Sequence, residues 1–281
     1  MRLTLLAAAL AAGIALEAQA AEAPIALVIC APGFPGGTAE AQPTIDSLTT
    51  AMAAAAKWGA KDLSGAYYET EKGGLTRLSQ ADAALALVPL PFFLEHEGEL
   101  KLAARQSAVF KGKPKPSETW TLFAKKGSVA NAAALDGWQI ASSVSYSPRF
   151  IRGPVLGARG KLPAGASFTQ TSKVLTFLRK AAGGEKIAVL LGEDDTAAVA
   201  TLPFAADLEA VYKAPALPIG VIATVTGRIS DARFKPLGEA LPKLGDTPDG
   251  AKVLEAVWKL KFMPLDDKAL AEARKLFQAE K

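Results

Sequence analysis

Phe92 and Phe93 stand side by side directly after Pro89-Leu90-Pro91, at the end of an unbroken apolar run from Ala83 to Val88. Such a run is the pattern of a strand buried on both faces of a parallel sheet. In open α/β sheets small molecules bind just beyond the carboxyl ends of strands. An aromatic pair on a proline-stiffened loop there is either a binding wall or two core side chains. The chemistry it offers is capture, not bond-making. His96 is the only histidine and Cys30 the only cysteine among 281 residues. That composition leaves no Ser-His-Asp triad and no recognisable transition-metal site. No catalytic residue, metal or cofactor is expected.

Two further places offer capture chemistry. Phe34 and Gly36 belong to the loop PGFPGG at 32–37, which follows the apolar run Ile25 to Cys30. Its glycines let the backbone approach a ligand closely, and Phe34 reads equally as a pocket wall or as cover for the core. Glu118 and Trp120 follow a proline-containing stretch at 113–117. Trp120 is open as a wall or as hinge core, and Glu118 as a ligand contact or an exposed loop charge.

The elements that must hold these residues alternate along the chain. A helix is expected over 43–58, with Ile45, Leu48, Met52 and Ala55 on one face and Gly59 as its stop. A strand near Tyr67 and Tyr68, a short helix over 73–78 and the strand from Ala83 follow. This β-α-β-α-β order predicts an α/β fold, mostly parallel sheets flanked by helices. After 111–116 the pattern restarts, with strands over 120–125, 139–142 and 187–191. Helices are expected to start within 147–156, to span 171–182 with Gly183-Gly184 as the stop, and to begin near Asp194. Beyond Tyr212 the segment KAPALPIGVIATV enters a strand, and helices over 231–243, 247–260 and 266–280 close the chain. The second of these opens on Thr247-Pro248, a cap followed by proline at the first helical position. Proline-rich joints at 113–117 and 214–218 bracket the central block. They predict two lobes, 24–115 with 218–281 and 116–217, separated by a cleft and hinged at the joints.

Residues 1–20 carry Arg2, a short apolar core and Ala18-Gln19-Ala20, the pattern of a cleaved secretory signal. The remaining chain, roughly 260 residues, suffices for two lobes of ordinary size. Half of all residues are hydrophobic and the net charge is +4. The basic residues are scattered apart from Lys111 to Lys115, so no nucleic-acid partner is expected. A lone cysteine inside an apolar run reads as a small buried hydrophobe. An exported chain without disulfides fits a bacterial periplasm.

Three stretches carry a resemblance. They are Gly74-Leu75 through Phe93, then ALDGWQIASSVSYSPRF at 134–150, then LPFAADLEAVYKAPALPIGVIATV at 202–225 with KFMPLDDKAL at 261–270. In this order the chain resembles the periplasmic solute-binding proteins of the phosphate/phosphonate ABC-transporter type. That likeness implies the type II two-lobed fold, with each lobe a mostly parallel sheet flanked by helices. In that family a Ser-Thr-Ser-Gly turn opening a second-lobe helix cradles phosphate or phosphonate, and backbone N–H groups at a helix start suit an anion. The matching stretch here is Ser145-Tyr146-Ser147-Pro148, with Arg149 placed to meet an anion. Both serines read equally as helix caps.

The departures from the family pattern share a direction. Proline removes an N–H donor from the cradle, and tyrosine adds apolar area. The family's first-lobe tyrosine is replaced by Phe92 or Phe93, and a helix that often opens with histidine begins here Thr169-Gln170-Thr171-Ser172, which makes Thr171 the candidate. Relatives that bind aminoalkyl-phosphonates place an acid in the next strand. Here that strand is Ile187 to Leu191, and Glu193, Asp194 and Asp195 follow it as ligand contacts or as first-turn charges.

The expected function is a periplasmic substrate-binding component of a transport system. It captures a largely apolar or amphipathic small molecule, lipid-like, sterol-like or an aromatic acid, by hinge closure. It delivers this cargo to an inner-membrane transporter or another periplasmic carrier, and a monomer is expected. Two alternatives stand beside it: a phosphate/phosphonate-binding protein of an ABC importer using Ser145, Ser147 and Arg149, and a periplasmic ligand-sensing domain.

Overall fold

In the computed structural model, which describes residues 23–34, 36–109, 114–257 and 260–280, the apolar runs become central strands of two mixed sheets. The expected signal segment lies outside the described residues. The chain first forms β1 (Ile25–Cys30), α1 (Thr38–Ala55), β2 (Leu63–Tyr68), α2 (Glu71–Leu78), β3 (Ala83–Pro89), α3 (Leu90–His96) and β4 (Leu102–Val109). A short strand, β5 (Ser117–Glu118), leads to β6 (Thr121–Lys125), β7 (Gln139–Ser142), α4 (Pro148–Phe150) and β8 (Ser167–Gln170). Then come α5 (Val174–Ala182), β9 (Ile187–Leu191), α6 (Glu193–Val199) and β10 (Leu208–Lys213). The chain returns through β11 (Leu217–Pro218) to β12 (Gly220–Val225), α7 (Asp231–Ala240), α8 (Pro248–Ala256), β13 (Lys261–Met263) and α9 (Asp267–Ala279).

The first sheet runs β13-β4-β12-β3-β1-β2 and the second β10-β6-β9-β7-β8. Parallel pairing links β2, β1 and β3 in one sheet and β8, β7 and β9 in the other. The first full strand after each crossing, β6 or β12, enters antiparallel beside that parallel set. Both sheets are therefore mixed rather than mostly parallel, because each receives a strand arriving from the opposite lobe. The crossings themselves pair as an antiparallel ribbon, Leu217 opposite Glu118 and Pro218 opposite Ser117.

Three apolar clusters hold these layers. One lies between the first sheet and α1, α7 and α8, with Leu48, Met52, Phe234 and Leu254. Another lies between the second sheet and α5, with Leu178, Ala181 and Val189. The third is shared by the lobes: Val28, Phe92 and Phe93 meet Trp120, Ile140, Phe150 and Leu190, and α9 adds Leu270 and Phe277. Coverage on both faces explains why all six residues of β1 and of β12 are buried.

Local chemistry moves several element starts. α1 begins at Thr38, before the expected start, and keeps Pro43 inside it, where proline forfeits one helical hydrogen bond. α5 begins at Val174 because Thr171 is used ahead of it: its Oγ1 accepts the Lys173 N–H at 2.9 Å. The expected loop at Pro89–Pro91 is instead the start of α3, with Pro89 extended at the N-cap and Pro91 in the first two positions. The missing proline donors fall where a helix has none to pair anyway. Cys30 is fully buried, and burial pushes its thiol up to about 12. Gly74 of α2 lies so close that a side chain there would overlap Cys30.

Candidate functional site

The strand ends and the crossing ribbon surround a cavity of about 130 Å³. Pro32, Phe34, Pro89, Pro91 and Ile219 line it from the first lobe, Glu118 and Trp120 from the crossing, and Ser143, Val144 and Gly192 to Asp195 from the second. Glu118, Trp120 and Ile219 belong to the crossing ribbon and its edges. Pro32 and Phe34 after β1, Pro89 and Pro91 at the end of β3, Ser143 and Val144 after β7 and Gly192 to Asp195 after β9 sit at the ends of apolar strands for the same reason. The strand core is sealed by helices, and only the loop beyond it can face the gap. Seven lining side chains are apolar: four rigid ones, Pro32, Pro89, Pro91 and Trp120, with Phe34, Val144 and Ile219. Glu193, Asp194 and Asp195 form the first turn of α6, where the helix dipole favours carboxylates. Among the described lining residues none is cationic. Trp120 is only 6 % exposed, and its indole N–H has no hydrogen-bond partner among the described residues.

Of the residues singled out in the sequence, Phe34, Glu118 and Trp120 meet at this cavity, together with Glu193, Asp194 and Asp195 after β9. Phe92 and Phe93 do not line it. Both are fully buried in the cluster shared by the lobes, because α3 turns them inward where a loop would have left them at the mouth. Gly36, with φ of +97°, lines a separate depression beside Glu40, Thr44 and Val257. Thr171 donates its backbone N–H to Ser142 O at 3.0 Å and stays off the cavity.

The serine stretch is wired into the chain itself. Ser145 Oγ donates to Ile140 O at 3.3 Å, and Ser147 Oγ donates to Glu95 Oε2 at 2.6 Å, across the lobes. Arg149 Nε donates to Glu280 O at 2.9 Å, near the end of α9, and its guanidinium lies 4.2 Å from the Phe277 ring centre. This is helix-end capping by a cation together with stacking. Tyr146 buries its hydroxyl against the first lobe. Burial, then the charges of Cys30, Glu71 and Glu95, push that phenol well above its ordinary value, and only the Phe92 amide acts the other way. Among the described residues the Tyr146 hydroxyl has no hydrogen bond of normal geometry.

Sequence reasoning missed Ser143, Val144, Gly192 and Ile219 in the lining, and it gave Glu95 no part in the site. The only local signal for Glu95 was a charged Glu95-His96-Glu97 run one residue after the aromatic pair Phe92-Phe93. Gly33 has a firmer signal, a glycine after a strand. Its φ is +85°, and a Cβ there would stand 2.8 Å from Ser143 O of the other lobe. The loop and Ser143 therefore touch only because residue 33 has no side chain.

Comparison with known proteins finds no matching family model and no curated protein related by sequence. Solved structures do match. XAC2383 from Xanthomonas citri, bound to chloride ion, aligns with a TM-score of 0.71 at 15 % identity, over 90 % of this chain and 98 % of that one. A binding protein component of an ABC phosphonate transporter from Pseudomonas aeruginosa gives 0.65 at 15 % identity, over 92 % and 87 %. PhnD1 from Prochlorococcus marinus, in complex with methylphosphonate, gives 0.61 at 12 % identity, over 91 % and 98 %. The chain has the two-lobed α/β fold of periplasmic solute-binding proteins.

Proposed function

We propose that the chain is a periplasmic substrate-binding component of a transport system, holding a largely apolar or amphipathic small molecule between its lobes and passing it to a membrane transporter. One observation carries the reading: the wall between the lobes is aromatic and proline-rich, while the Ser147 hydroxyl is already engaged by Glu95. Apolar walls with a few polar fixing groups are what such guests require. Burying a ring-sized group there removes apolar surface from water, worth about 25 cal/mol per Å². The likeness to a methylphosphonate-bound protein favours the alternative, a phosphonate carrier. Against it stands a lining with carboxylates and, among its described residues, no counter-charge for an oxyanion.

A cavity of this volume holds a group about the size of a benzene ring. A longer guest therefore inserts one end, or enters while the lobes are parted and projects from the closed form. No chemical step is involved. Contacts from both lobes stabilise the closed form, and the transporter recognises that form.

The test is a fluorescence titration with N-phenyl-1-naphthylamine, an uncharged apolar probe. Its emission rises saturably with the protein, and inorganic phosphate does not displace it. Phe34→Ala weakens the probe about tenfold, or 1.4 kcal/mol, as truncation of a wall aromatic does. A linear, non-saturating rise, or displacement by phosphate, contradicts the reading.

A further inference from the structure

Three consecutive side chains at the end of α3 reach three different elements. His96 Nε2 lies 2.7 Å from Glu71 Oε1 on α2. Arg274 of α9 donates through Nε to both oxygens of Glu97, at 3.0 and 2.9 Å. Glu95 crosses to the second lobe. There Ser147 Oγ donates to Oε2 at 2.6 Å, and Arg149 Nη1 stands 3.9 Å from Oε1. The protein thus brackets a carboxylate with a hydroxyl and a guanidinium, which is how an anion is held. The carboxylate belongs to the chain. Ser147 is wholly buried, and its backbone N–H is committed to Val144 O at 3.0 Å. No second donor of Ser147 is left for a guest.

We propose that Glu95 is a specificity-determining residue: from the first lobe it occupies the anion position beside Ser147 and Arg149, so that the lobes close over an internal carboxylate and oxyanions of phosphorus are refused. An external oxyanion and Glu95 compete for one hydroxyl, and they repel each other at the short range where such charges matter most. The same contact links the two lobes directly. The inference rests on reading the gap between the lobes as a binding cleft, and it holds whichever uncharged or amphipathic guest that cleft takes.

Melting of the full-length chain with and without methylphosphonate, at matched ionic strength, tests it. Wild type shows no shift. Glu95→Ala melts lower in buffer alone, and methylphosphonate raises its Tm by roughly 5 °C through linked binding. Glu95→Gln keeps an acceptor in place and gains nothing from the anion. A purely structural role for Glu95 predicts the lower Tm without the anion-dependent recovery, and that outcome overturns the proposal. Saturable methylphosphonate binding by wild type in calorimetry also overturns it, and this arm decides even when Glu95→Ala does not fold. The naphthylamine titration separates the two readings. If the probe fails while Glu95→Ala gains the anion, the apolar guest is refuted and the role of Glu95 stands.

Discussion

Phe92→Ala is expected to lower the unfolding free energy by about 3–5 kcal/mol, the range for deleting a buried phenylalanine ring, and to lower Tm by roughly 10 °C. The ring is fully buried in the cluster shared by the lobes, at 4.8 Å centroid distance from His96, and a Cβ at Gly74 would touch it. Its loss leaves a void that neighbours from two different sheets would have to fill together. A rigid interior relaxes poorly in that situation. Chemical denaturation measures the effect. A loss below about 1 kcal/mol would place Phe92 at a solvated wall and not in the shared core.

Gly33→Val should act on binding far more than on folding. Residue 33 sits on a half-buried loop with φ of +85°, where a β-branched side chain costs roughly 1–2 kcal/mol. Its new Cβ would also press on Ser143 O of the opposite lobe, 2.8 Å away. The cheapest relief is a slight parting of the lobes, which removes the wall contacts that hold a guest from both sides. Affinity for the naphthylamine probe should fall more than tenfold, while the radius of gyration in solution scattering rises. Unchanged affinity with an unchanged radius would show that the loop and Ser143 do not set the closed geometry.

Much of this was legible in the sequence where burial alone decides structure. The runs at 25–30, 83–88 and 187–191 are apolar on both faces, so their periodicity identifies them as buried strands whatever surrounds them. β4 was not legible, because LAARQSAV carries Arg105 and Gln106. Their donors reach distant partners: Arg105 donates to Thr224 and Asp231, and Gln106 Nε2 to Gly238 O. No local pattern announces hydrogen bonds to residues more than a hundred positions away.

The candidate site divides along the same line. Phe34, Glu118 and Trp120 reach the cavity because position after a strand end, or at a crossing, is a property of chain order. Phe92 and Phe93 share that position but not the outcome, since one turn of α3 rotates them from the mouth into the core. The bond from Ser147 to Glu95 joins residues 52 apart, in different lobes. Only the closed arrangement of the two sheets reveals that the serine has an internal partner.

Native mass spectrometry of the full-length chain purified from its native host, with the released small molecule identified after denaturation, tests the account most directly. The account predicts one apolar or amphipathic molecule per chain, without phosphorus. A bound phosphate or phosphonate would contradict it.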